Sequence, residues 1–273
     1  MIFLNAIKEW INVWFFEQNI DNPWEGNQWG VFHILTLVFI ALIAVGIWLL
    51  YKYSKNKEKY KKTVLITLAS LIALLEVLIR IQYFTRLYYF KDPAVGHMDP
   101  FWIMMPKPWC AIACWLLIAS PIVNKKFFYN FSCITAMLCS LVFFAYPGVG
   151  YNNVHILFGN MYSIVTHALL LITSISLITL RFTEFKYENI WKVGVSFAAT
   201  FIYGLIEIFV FKFEGHSDPM YFMPGGDIQA DILGIPYGLY ITIYILFIVI
   251  FINAFYGITL LITKKKNQTT SSN

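Results

Sequence analysis

The side chains of this sequence that could do chemistry are few, and they sit inside apolar runs: 59% of the 273 residues are hydrophobic and 13% charged. Those that interrupt the runs are His33, Glu76, Arg80, Cys110, Asn160, His167, Glu207, Asp227 and Asp231. An ionisable group in such a setting is costly unless it faces a polar interior, so each is a candidate for function. Glu76 and Arg80 lie four apart, share one helical face and are able to pair. Two compatible roles follow: an internal ion pair that stabilises a bundle, or a Glu76 that orients the Arg80 guanidinium toward a lipid phosphate or developing oxyanion. Cys110 follows Met105-Pro106-Lys107-Pro108-Trp109, which puts it near a helix start, where amide dipoles favour the reactive thiolate. The alternative, a small buried hydrophobe, is the reading for Cys114 and Cys133, with Cys139 as the fallback nucleophile. Asn160, Ser163 and His167 are spaced three and four apart and share a face. His167 there is either a general base or a packing residue. Asp227 or Asp231 either orients His167 as the third member of a nucleophile, base and orienter set or caps the helix that follows.

The elements that must position these groups are membrane spans. Apolar runs of about 20 residues match the hydrocarbon thickness of a bilayer, and they are expected over 28–51, 62–88, 107–123, 127–146, 156–180, 190–211 and 236–263. The fold class read from them is an all-α polytopic bundle of about seven transmembrane helices spanning 28–263. An amphipathic interfacial segment at 1–20 precedes it and a polar, disordered cytoplasmic tail at 264–273 follows it. Orientation comes from the connectors: six lysines between Lys52 and Lys62, Lys125 and Lys126, three basic residues from Arg181 to Lys192, and Lys264 to Lys266. These alternate with acid-bearing loops, which sets the N-terminus outside and the C-terminus in the cytoplasm. Most of the candidate groups then fall toward the outer face, under two long turn-rich connectors, Lys91–Pro108 and Glu214–Gly234.

Composition also excludes. The formal charge of +5 is accounted for by these basic loops and calls for no nucleic acid. The four cysteines lack the spacing of a zinc site or a disulfide framework, and no metal or cofactor is expected. The opening segment has no small-residue cleavage site of a signal peptide, and no transporter-type internal repeat is visible.

Three places in the sequence carry a resemblance: Met105-Pro106 through Cys110, the stretch from Asn160 to His167, and Met220-Tyr221-Phe222-Met223-Pro224 followed by Gly234-Ile235-Pro236-Tyr237. In this order, on seven apolar runs, the chain resembles the YwaF family of bacterial integral membrane proteins, related to eukaryotic transmembrane protein 164. It departs from that pattern at Pro108, where many members carry a polar residue two positions before the cysteine. The resemblance implies a cysteine-dependent acyltransferase with Cys110 as nucleophile and His167 as base. Its partners would be a phospholipid acyl donor and an acceptor, either a lysolipid or a lipoprotein amino group. Arg80, Glu76, Asn160, Tyr221, Asp227 and Asp231 are then expected to line the substrate site, in a cell-membrane protein whose site faces the extracytoplasmic side. The rival reading is a transporter or lipid-binding protein whose Glu76, Arg80, His167 and Glu207 line a path.

Overall fold

The computed structural model describes residues 2–18, 20–21, 23, 29–93, 100–106, 109–146, 148–209 and 233–271. Their regular structure is helical: α1 Ile2–Trp14, α2 Val31–Tyr53, α3 Lys57–Phe84, α4 Pro100–Met104, α5 Trp109–Val123, α6 Lys126–Ala145, α7 Gly148–Tyr151, α8 Phe158–Thr179, α9 Ile190–Phe209 and α10 Tyr237–Ser271. A π-helical turn, Thr85–Phe90, extends α3, and a short 3-10 turn, Tyr187–Asn189, leads into α9. Six helices among the described residues are long and apolar enough to cross a membrane: α2, α3, α6, α8, α9 and α10. The chain is therefore a polytopic helical membrane protein.

The helix ends follow local chemistry. The Asn56 side chain accepts from the Lys59 amide at 3.0 Å and starts α3, five residues earlier than an apolar count from Lys62 expects. The lysines of that first turn are helix formers even though they are not membrane residues. At the other end α10 runs on to Ser271, past the 264 boundary and through residues read above as a disordered tail. Lys264 to Gln268 contain no breaker to stop it. α5 differs in the opposite sense. It has 15 residues, about 22 Å of helix, which falls short of the roughly 30 Å of hydrocarbon. Trp109 thus starts a helix within the bundle rather than at its edge.

α6 and α8 are the most enclosed spans, while α2, α9 and α10 are mostly exposed. In lipid, helices associate through close packing and hydrogen bonds rather than by escape from water, and such links hold the centre together. Ser120 donates to Ser132 at 3.1 Å between α5 and α6. The Cys133 thiol donates to the Ser174 carbonyl at 3.4 Å between α6 and α8. Trp109 donates from its indole to the Tyr244 hydroxyl at 2.9 Å, tying α5 to α10. Asn130 of α6 makes two bonds to the Glu184 backbone, at 2.7 and 2.9 Å, and fixes the connector between α8 and α9.

Candidate active site within the bundle

The polar centre is built from α3, α5 and α8. One turn of α3 brings Arg80 Nη1 to 2.7 Å from Glu76 Oε2, and the same nitrogen donates to the Glu76 carbonyl at 2.7 Å. Tyr162, from α8, donates its hydroxyl to Glu76 Oε1 at 2.6 Å. Trp115 lies under the guanidinium, 5.4 Å from ring centre to Cζ. Glu76 is buried, so its charge is carried by these bonds instead of by water. Arg80 Nε, by contrast, is buried with no hydrogen-bond partner among the described residues.

Cys110 stands in the first turn of α5, where helix amides have no intrahelical acceptor. It is half-buried and close enough to Glu76 to feel its charge. One turn on, the buried Cys114 lies within electrostatic reach of Glu76. Across from them, Cys139 of α6 lies within electrostatic reach of Cys110. Cys114, read from the sequence as a small buried hydrophobe, is indeed fully buried in the apolar core, on the side near that carboxylate.

His167 is buried on α8. Its Nδ1 lies 2.7 Å from the Ser163 carbonyl. A carbonyl only accepts, so Nδ1 carries the proton and Nε2 is left as the acceptor nitrogen. Phe143 of α6 stacks on the imidazole, with ring centres 3.8 Å apart and planes within 7°. Cys139 and Phe143 are one turn apart on α6 and share a face. Cys110 and His167 therefore approach the same stripe of α6 from α5 and α8. No hydrogen bond joins the thiol to the imidazole in this arrangement.

The remaining candidates divide. Asn160 lies two residues before Tyr162, on a different face of α8, and lines a separate polar pocket. His33 is fully buried among Trp29, Phe144 and Tyr151, with neither ring nitrogen hydrogen-bonded. Tyr221, Asp227, Asp231 and the Glu207 side chain lie outside the described residues.

Sequence reasoning missed Tyr162 and a second charged group. Arg86 Nη1 bonds Glu17 Oε2 at 2.7 Å and its Nε bonds Asp92 Oδ2 at 2.9 Å, while Glu17 Oε1 accepts the Gly159 amide at 2.9 Å. An i to i+6 pair is invisible to regular helical spacing. It forms because the π turn and the left-handed Lys91, at φ 50°, turn Asp92 back over Arg86. The signal available in the sequence was Arg86 itself, a second arginine in the run that holds Arg80. Comparisons of the chain with protein-family models, with curated proteins and with solved structures find no match.

Proposed function

We propose that this protein is a membrane-embedded acyltransferase that moves a fatty acyl chain from a phospholipid, through a thioester on Cys110, to a lysolipid or a lipoprotein amino group. The observation that carries the reading is that a thiol at a helix start and a histidine whose Nε2 is left as the acceptor come from two helices toward one face of α6. The resemblance to the YwaF family points the same way.

In the first step Nε2 of His167 takes the Cys110 proton, and the thiolate attacks the donor ester carbonyl. The carbon–oxygen bond breaks, and the departing lysophospholipid oxygen takes the proton back from His167. In the second step the acceptor hydroxyl or amine gives its proton to His167 and attacks the thioester, releasing the thiolate, which is reprotonated. Splitting the exchange in this way replaces one difficult displacement by two easier ones. Arg80, steadied by Glu76 and Tyr162, offers its unpartnered Nε to the donor phosphate or to the oxyanion. The charge pattern of the loops supports seven spans with the N-terminus outside, α5 being one of them. It also supports a site in the outer half of the cell membrane.

A second reading, a transporter or lipid-binding protein, is favoured by one feature: the Glu76–Arg80–Tyr162 group is complete without the thiol. The test is transfer of a labelled acyl chain from phosphatidylcholine to a lysolipid or to an N-terminal diacylglyceryl peptide by the purified full chain. Transfer that is lost in Cys110→Ser and His167→Gln supports the enzyme. Transfer that is absent in the wild type moves the assignment to the second reading, and transfer unaffected by both changes removes Cys110 and His167 from the chemistry.

A further inference from the structure

The Arg86 group borders a pocket of about 460 Å³ at the end of the bundle remote from the lysine-rich α2–α3 turn. It is separate from the thiol. Its walls come from the end of α1, the π turn of α3 and the start of α8, and include Glu17, Arg86, Phe90, Asp92, Asn153 and Asn160. Among the described wall residues two carboxylates face one guanidinium. Arg86 spends Nη1 on Glu17 and Nε on Asp92, which leaves Nη2 outside the network. Asn153 Oδ1 is buried and has no hydrogen-bond partner, an acceptor whose burial costs free energy until something donates to it.

Local backbone strain is held at the same place. Glu17 and Lys91 adopt left-handed φ of 56° and 50°, and Arg86 itself sits in the π turn that extends α3. Such features persist where the surrounding structure requires them, often at binding sites. The depth is informative too. Trp10, Tyr88 and Tyr89 are exposed on the flanking elements, the residue types that gather at the headgroup level of a bilayer.

We propose that this pocket binds a zwitterionic phosphoethanolamine group: its primary ammonium on Asn153 Oδ1 and the Glu17 and Asp92 carboxylates, its phosphate on Arg86 Nη2. The acceptors explain the choice of amine. A primary ammonium brings three N–H donors, whereas a quaternary choline brings none and would leave Asn153 unsatisfied. The proposal does not depend on acyl transfer, because none of these residues belongs to the thiol site.

The experiment uses the full chain in phosphatidylcholine nanodiscs. Thermal melting and calorimetric titration follow added soluble phosphoethanolamine in one arm and phosphatidylethanolamine built into the disc in the other, with phosphocholine as the control. Either ethanolamine form is expected to bind about ten-fold or more tightly than phosphocholine, and the arm that responds identifies a solute or a lipid as the source. Asn153→Ala removes an acceptor that bonds nothing in the free protein, so its unliganded melting temperature should stay at the wild-type value. Its affinity should fall about ten-fold, the effect of one hydrogen bond to a charged group. Cys110→Ala should bind like wild type, which separates failure here from failure of the acyltransferase reading. No binding of either ethanolamine form, equal binding of the choline form, or an Asn153→Ala affinity equal to wild type would overturn the proposal.

Discussion

Replacing Glu76 by leucine removes the carboxylate that Arg80 Nη1 meets at 2.7 Å and that the Tyr162 hydroxyl supports, leaving the guanidinium only the backbone carbonyl of residue 76. Breaking a buried pair from one side costs about 3–5 kcal/mol, because the surviving charge stays desolvated. At roughly 2–4 °C per kcal/mol the melting temperature of Glu76→Leu should fall by about 10 °C. Replacing both partners, Glu76→Leu with Arg80→Met, removes the stranded charge along with the pair, and apolar replacements of a buried pair are often neutral. The double variant should therefore melt near wild type, a coupling of about 3 kcal/mol or more in the cycle. Melting is followed by tryptophan fluorescence in detergent, with acyl transfer measured on the same samples. Stability should return in the double variant and transfer should not, since the Arg80 donor is then gone. Additive losses of stability would refute the buried pair, and a stable double variant with full transfer would reduce the pair to a structural role.

Two further outcomes follow from the geometry. A Cβ at Gly150 would meet Phe143 Cζ at 2.8 Å and Ile164 Cγ1 at 2.9 Å. Gly150→Ala should therefore destabilise by about 1–3 kcal/mol and, by moving the ring that stacks on His167, slow the transfer step with little change in donor KM; an unchanged rate would remove Phe143 from the positioning of the base. In the α8–α9 connector, Lys186 donates to Glu184 at 2.7 Å and holds its carboxyl below the ordinary value of 4.5. A depressed carboxyl adds stability that is present above that pH and is lost as pH falls below it. Melting of wild type and Glu184→Gln should differ slightly at pH 7 and converge on acidification. A gap that persists at pH 3 would assign the effect to something other than this charge.

Six of the seven expected spans were legible because membrane thickness sets a minimum length for a crossing, and the Glu76–Arg80 pair because it obeys the four-residue repeat of a single helix. What the sequence hid depends on contacts between distant segments. Tyr162 is 86 residues from Glu76, and Glu17 is 69 from Arg86. No local pattern encodes either. The short α5 was partly visible in its prolines, but not that its first two turns would lie beside Glu76. For His167 the spacing predicted a polar face, whereas the identity of its protonated nitrogen needed the Ser163 carbonyl placed at 2.7 Å.

The most direct test of the central claim is intact mass of the purified chain after incubation with a phospholipid carrying a labelled acyl group. The account predicts one hydroxylamine-labile acyl adduct on wild type, present in Cys114→Ala and Cys139→Ala, absent from Cys110→Ala and formed slowly in His167→Ala. An adduct that survives in Cys110→Ala, or none on wild type with any donor, would contradict it.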